Sequence, residues 1–469
     1  MSSSTGTTSI LQYTPIDEIP KIREHLKATY NSGRLRPLEY RKQQLLRLIH
    51  LVEDNYARFE EPFKADLGRH TLEVTAGELN GIVMELMYLH DNFETWAQPQ
   101  KPGFNLKFWA FGPVIKRVSK GVVLVVGPFN FPLLLTLSFL GAAIATGNAC
   151  VIKMSELTPN VSAALTELLP KYLDQDLFRI VNGGIPETTA VLQLQWDHIV
   201  FTGSPSVARI VAAAAAKHLT PTTLELGGQC PVFCDPKMDM YLTARRLLWS
   251  KSLNAGQTCT VVNHIFVPYE AQDALAKAFV QVYNEFFPEG PEKAPISTLA
   301  TDAAFKRIKE LLEKTKGEVV CGGHELFGPI LPIVPVKDFQ DAIDWTNSHS
   351  HPLAVYAFTD DPNFKEYVFN NTHSGQFVVN DTNIQATIPT LPFGGVGESG
   401  YGMVKGQYIF DTLSHLRATC ESPRFLDMIM GWRFPPYTDA KIKQAAALKP
   451  RVPPLNPGWG STLRGWMPF

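Results

Sequence analysis

The chain lacks an excess of either charge: 43 Lys and Arg stand against 45 Asp and Glu over 469 residues, a net charge of −2. A basic field that would recruit nucleic acid is therefore missing, and no nucleic acid is expected as a partner. Cysteine is scarce as well. The six, at 150, 230, 234, 259, 321 and 420, form no disulfide framework, which favours a reducing, intracellular setting. Cys230 and Cys234 are close in sequence, but no matching Cys/His pair follows, so no metal site is expected. Met1 to Tyr13 has neither a charged n-region nor an apolar h-region. Asp17 and Glu18 come too early for an acid-poor presequence. The expected location is cytoplasmic, or peripheral on a membrane. One run, Gly121 to Ile152, has no charged residue at all. Gly127-Pro-Phe-Asn-Phe-Pro132 interrupts it where a spanning helix would lose backbone hydrogen bonds, so it reads as strand, break and buried helix.

What is present is an ordinary globular composition, 45% hydrophobic and 19% charged, on a chain too long for one core. Residues 14–100 read as helical, with Leu45, Leu46, Ile49, Val52 and Tyr56 at helical spacing inside a helix over 38–59. The aromatic stretch from Gly103 to Lys120 reads as strand-like. Strands and helices then alternate: strands 122–126, 149–153, 180–181 and 198–202, with helices at 133–145, 161–169, after Pro186 and at 206–218. That alternation predicts an α/β fold with a doubly wound parallel sheet. A second α/β set follows, with strands 231–234 and 263–267, helices 240–251, 271–287 and 302–314, and a strand at Glu318–Cys321. From Phe425 the tail carries six Lys or Arg against two Asp, seven aromatics and seven prolines. Such a segment is expected to be extended, packed or loose, with its basic and aromatic residues suited to an anionic membrane surface.

The chemistry gathers in a few loops. Cys259 ends Asn254-Ala-Gly-Gln-Thr-Cys259, a glycine-containing turn, and Glu225 lies in the apolar run Thr223-Leu-Glu-Leu-Gly-Gly228. A thiolate is a strong nucleophile, and a carboxylate can activate either the thiol or a water molecule. Each alone suits a blander role, a small buried hydrophobe or a solvated acid. Asn130, in the break after strand 122–126, can offer N–H groups to an oxyanion or can simply shape the turn. Phe201-Thr-Gly203-Ser204 ends a strand in a glycine turn just before a helix, a place where a pyrophosphate can sit. Lys153 and Glu156, past the neighbouring strand, suit ribose hydroxyls, although Glu156 would also serve as a helix cap. Pro392-Phe-Gly-Gly-Val-Gly-Glu-Ser-Gly-Tyr-Gly402 suits close backbone packing better than a phosphate cradle, since no Lys-Ser/Thr pair follows.

Gly127-Pro-Phe-Asn-Phe-Pro132, Phe201-Thr-Gly-Ser204, Glu225-Leu-Gly-Gly228, Gly256-Gln-Thr-Cys259, Glu325-Leu-Phe-Gly-Pro329 and Pro392-Phe-Gly-Gly395 occur in that order. In this the chain resembles the NAD(P)-dependent aldehyde dehydrogenase superfamily from about residue 20 to 420. Lys217-His-Leu-Thr-Pro221 and Leu331-Pro-Ile-Val-Pro335 make it most similar to the class 3 and fatty aldehyde dehydrogenase branch. The resemblance implies a Rossmann-like cofactor domain (1–103 and 119–226) and an α/β catalytic domain (227–402). It also implies a small β bridging element for oligomerisation (104–118 and 403–424), and the tail occupies 425–469. It implies Cys259 as nucleophile, Glu225 as base, and Asn130 with the Cys259 backbone N–H as the oxyanion site. Lys153 and Glu156 would hold the adenosine ribose, Gly203, Ser204 and Val207 the pyrophosphate side, and Glu325 and Phe327 the nicotinamide ribose and ring. The cofactor is then NAD or NADP, the substrate an apolar medium- or long-chain aldehyde, and the assembly a homodimer.

The chain departs from the family pattern in three places. Gln229 stands where Lys is usual, and Ala208 where Gly is usual, with a methyl group that would crowd the cofactor. Gly322-Gly323 runs directly into His324-Glu325, where relatives have a substantial intervening stretch. Two alternatives follow: a catalytically impaired family member, or an enzyme passing its acyl group to coenzyme A, against which Glu225 argues.

Overall fold

The alternation of apolar runs and helical stretches builds two large sheets in the computed structural model, which describes residues 11–321 and 330–450. In chain order the strands are β1 (Val114–Ser119), β2 (Val122–Val126), β3 (Ala149–Lys153), β4 (Phe178–Val181), β5 (His198–Gly203), β6 (Thr222–Leu226) and β7 (Cys230–Cys234). They continue as β8 (Val262–Pro268), β9 (Ile333–Val336), β10 (Ala354–Phe358), β11 (Gln376–Val379), β12 (Gly400–Tyr401) and β13 (Ser414–Thr419). One sheet has the order β12-β6-β5-β2-β3-β4, parallel except for the antiparallel edge strand β12. The other has the order β11-β10-β7-β8-β9 and is parallel throughout. A two-stranded sheet pairs β1 with β13.

β2 and β3 are buried at every residue, as β-branched strands covered on both faces must be. The helix between them, Leu134–Thr146, is buried from Thr136 to Thr146. The charge-free run is thus strand, helix and strand, and no helix among the described residues is long and apolar enough to cross a membrane. In the first sheet the chain moves from β2 through β3 to β4, then returns to the other side of β2 for β5 and β6. The strand order therefore reverses between β2 and β5, and the crevice at their carboxyl ends is where doubly wound sheets bind ligands.

The chain divides into two units, residues 1–98 with 117–416, and 99–116 with 417–469. In the second, Thr419 Oγ1 donates to the Val114 carbonyl at 2.9 Å and Glu421 N to the Phe111 carbonyl at 2.8 Å.

Several sequence expectations change. The helix expected over 38–59 ends at Glu53, a new one starts at Tyr56, and Leu46 faces outward at 42% exposure. In the stretch 103–120 only Val114–Ser119 is strand, and Phe104, Leu106, Phe108 and Trp109 are exposed. Glu318–Cys321 is not a strand, and β9 is the strand that pairs with the free side of β8. The tail is not extended over its described part: helices Leu426–Met430 and Asp439–Ala447 form on either side of Pro435-Pro436. The rest of the tail, from 451, lies outside the described residues.

Candidate active site

Glu225 is the fourth residue of β6, in register with Thr202 of β5 and Gly400 of β12. Cys259 sits in the turn that leads into β8. That turn is strained: Asn254, Ala255 and Gly256 have φ of 49°, 51° and 72°. For the two non-glycine residues this costs about 1 to 3 kcal/mol each, and surrounding bonds must hold it. Asn254 Nδ2 donates to the Asn130 carbonyl at 3.0 Å and to the Gln257 carbonyl at 3.1 Å. Gln257 Nε2 reaches the Thr298 carbonyl at 2.9 Å, and Ala300 N donates to Gln257 Oε1 at 3.0 Å. Asn130 Nδ2 donates to the Gln257 carbonyl at 2.9 Å, so the break after β2 is tied directly to the cysteine turn.

The electrostatics couple the thiol and the carboxyl. Burial, the Glu225 charge and Cys230 together push the half-buried Cys259 thiol up to about 12. The Cys230 sulfur lies 3.7 Å from the Cys259 carbonyl oxygen. Glu225 is 4% exposed, and neither carboxyl oxygen has a hydrogen-bond partner among the described residues. Burial raises its pKa well above the ordinary carboxylate value, and the Lys405 ammonium opposes the shift. Ionising either group therefore makes ionising the other harder, so the two resist carrying negative charge together. Chemically, the arrangement offers a nucleophile and a proton acceptor whose carboxyl oxygens have no hydrogen-bond partner among the described residues.

Lys405 and Glu85 were not singled out by sequence reasoning. Lys405 has φ 79° and its Nζ lies 3.1 Å from Glu85 Oε2, with both side chains largely buried. In sequence each looks like a solvated charge, and only the fold buries them together. The glycine-dense loop packs rather than cradles: a Cβ on Gly400 (φ 118°) would lie 1.9 Å from the Leu224 carbonyl oxygen, beside Glu225.

The expected cofactor residues line the carboxyl ends of β3 and β5, beside the strand-order reversal. Lys153, 3% exposed, ends β3, and its Nζ lies 3.0 Å from Glu156 Oε2. Gly203 ends β5, and a Cβ there would lie 2.6 Å from the Phe201 ring. Exposed Ser204 caps helix Pro205–Ala216, its Oγ accepting from Val207 N at 3.4 Å, and the Val207 side chain is 41% exposed. An open helix N-terminus beside a Lys–Glu pair fits a dinucleotide, pyrophosphate at the first and ribose hydroxyls at the second. Ala208 is buried within the core at 1% exposure. Gln229 is exposed. Glu325, Phe327 and the Gly323–His324 junction lie outside the described residues. No cluster of His, Cys, Asp or Glu suited to a metal occurs among the described residues.

The model of the Aldehyde dehydrogenase family matches residues 11–325 and 321–419, two stretches that meet where the sequence runs straight from Gly323 to His324. Aldehyde dehydrogenase family 3 member A2 of Rattus norvegicus is 37% identical over 445 residues, covering 89% of this chain and 92% of that protein. Beta-apo-4'-carotenal oxygenase of Neurospora crassa is 34% identical over 471 residues, covering 94% and 88%. The substrate-bound state of Staphylococcus aureus AldH superposes with a TM-score of 0.85 at 30% identity, covering 92% of this chain and 99% of that one. With family motifs, sheet order and overall similarity in agreement, the chain belongs to the aldehyde dehydrogenase family.

Proposed function

We propose that the protein oxidises an apolar, medium- or long-chain aldehyde to its carboxylic acid through a covalent adduct on Cys259. The observation that carries this reading is Glu225, a buried carboxyl without a hydrogen-bond partner among the described residues, coupled electrostatically to the thiol. The apolar preference rests on similarity to the fatty aldehyde branch and on the Neurospora relative, whose name specifies an apocarotenal.

Cys259 Sγ attacks the carbonyl carbon, and its proton passes to Glu225 or to water. The developing oxyanion takes a hydrogen bond from the Cys259 backbone N–H and from the Asn130 amide proton not committed to Gln257. Lys153, Glu156, Gly203, Ser204 and Val207, with Glu325 and Phe327, would hold NAD or NADP, which would supply the hydride acceptor. Loss of hydride from the tetrahedral adduct leaves a thioester on Cys259. Acylation also removes the ionisable sulfur beside Glu225, so the carboxylate form is less opposed when a base is required. Glu225 then takes a proton from water as the water attacks the thioester, and the carbon–sulfur bond breaks to release the acid. Passing the acyl group to coenzyme A would leave Glu225 without its role in hydrolysis.

The sheet containing β2 to β6 is the proposed cofactor domain and the sheet containing β7 to β11 the proposed catalytic domain. The β1/β13 pair is the proposed bridging element of a homodimer. The tail, with Met428, Ile429 and Tyr437 exposed, is proposed to touch a membrane surface peripherally. The deciding assay is a panel of aldehydes of increasing chain length with NAD and with NADP, scoring acid against acyl-CoA. Acid formed preferentially from long chains supports the reading. Acyl-CoA as product favours the transfer enzyme, and dinucleotide binding without turnover of any aldehyde favours the impaired one.

A further inference from the structure

One short helical stretch touches both loops of the active site and has no part in the chemistry described above. Residues Thr71–Val74 form an α-helical turn that runs into a wider turn, Thr75–Leu79, in which Asn80 N donates to the Thr75 carbonyl five residues back. In a regular α-helix, residues five apart point about 140° away from each other. Through a turn with i→i+5 bonding they come much closer to the same face, and such turns recur at functional sites. The two residues brought together here are Glu73 and Glu78.

Each carboxylate holds a different loop. Glu73 Oε2 accepts from Asn254 N at 3.1 Å, the first residue of the strained cysteine turn, and from Ser297 Oγ at 2.9 Å. Glu78 Oε2 accepts from Leu134 N at 2.7 Å, just beyond the Asn130 break. Glu78 Oε1 accepts from Arg69 at 2.8 Å, and the other arm of the Arg69 guanidinium donates to the Asn130 carbonyl. Arg69 and Glu78 are almost wholly buried, with side-chain exposures of 1% and 0%, and the guanidinium lies 5.2 Å from the Phe63 ring and 5.0 Å from the Phe131 ring. A buried ion pair is a poor device for stability, since well-packed apolar side chains commonly do as well or better. What this pair supplies is direction, two fixed donors from a planar fork.

We propose that Arg69, Glu78 and Glu73 are positioning residues that set Asn130 against Cys259, with the wide turn at 75–79 fixing the spacing between the two grips. The inference rests on the reading of Cys259 as nucleophile and Asn130 as oxyanion donor. Arg69 acts through Asn130, while Glu73 acts through the cysteine turn.

The test uses the full-length protein with NAD and an aldehyde substrate. Arg69→Lys keeps the buried charge pair but lacks the fork that reaches Asn130 and Glu78 together. It should lower kcat/KM about tenfold, less than the roughly 100-fold expected for deleting an oxyanion donor. NAD affinity and the rate of Cys259 alkylation by iodoacetamide, a displacement that forms no oxyanion, should change less than about twofold. Combining Arg69→Lys with Asn130→Ala should cost no more than Asn130→Ala alone, because both act on one interaction. Glu73→Gln, on a partly exposed residue, is the second variant and should instead alter the alkylation rate. Wild-type kcat/KM in Arg69→Lys, or losses that multiply in the double variant, would overturn the proposal. Full activity in Asn130→Ala alone would instead remove the oxyanion assignment beneath it, a separate and recognisable result.

Discussion

At the scale of single residues, Glu225 decides most of what can be tested. Cys259→Ala should reduce aldehyde oxidation to background while dinucleotide binding, measured by fluorescence titration, persists. Glu225→Gln should leave the first turnover visible as a burst of reduced cofactor and slow the steady state by about 10² to 10⁴-fold, the usual range for a lost general base. A wild-type steady state without a burst would remove Glu225 from deacylation. The same variant makes a stability prediction with a definite sign. Burial raises the folded-state pKa of Glu225 above the ordinary 4.5, so the unfolded chain ionises first as pH rises. The wild type thus loses stability from about pH 4.5 upward through the folded pKa, whereas the Gln variant has nothing to ionise. The melting temperature of Glu225→Gln should match the wild type near pH 4 and exceed it increasingly as pH rises from 4.5 through the folded pKa. A constant difference across that range would mean that Glu225 is not desolvated. Cys259, Glu225 and Asn130 were legible in sequence because they sit in unusual loop and strand contexts. Arg69, Glu78, Glu85 and Lys405 were not, since an isolated charge reads as solvent-facing in sequence until tertiary packing buries it.

At the scale of elements, the strand at Gly400–Tyr401 shows how the glycine loop serves Glu225. Its antiparallel pairing with β6 leaves no room for a Cβ at Gly400, and φ there lies in the region that favours glycine. Gly400→Ala should therefore destabilise by more than about 2 kcal/mol, through backbone strain and overpacking together. Gly227→Ala, where a Cβ would meet nothing within 4 Å, should stay within about 0.5 kcal/mol. Urea midpoints for the two variants check the contrast, and equal midpoints would mean that β12 can shift away from β6. Strands β2 to β5, β7 and β8 were legible to within two residues because each is a compact apolar run bounded by glycine, proline or a polar turn. The strand expected at Glu318–Cys321 did not form: a β-branched pair is not enough without a neighbouring strand to pair with, and the strand beside β8 is β9.

At the scale of the whole molecule, the junction between Gly323 and His324 has consequences beyond the residues beside it. The family match breaks into two stretches there. Nearby, helix Asp302–Lys314 carries Ile308, Leu311 and Leu312 at helical spacing, yet no residue of it is buried among the described residues, and Leu311 is 54% exposed. Val319 and Val320, just before the junction, are 53% and 45% exposed. An amphipathic helix ordinarily buries such a stripe, and apolar surface left open costs roughly 25 cal/mol for each Å² that could have been covered. No composition or periodicity argument could reveal this, because each segment is well formed and only tertiary packing decides which faces are covered. Inserting the corresponding stretch of the rat family 3 member A2 protein between Gly323 and His324 should raise the melting temperature and reduce binding of a hydrophobic dye. If the approach to Glu325 is also restored, NAD affinity should increase at least several-fold, a gain of about 1 kcal/mol or more. Unchanged melting temperature, dye binding and NAD affinity would show that the chain accommodates the short junction without loss.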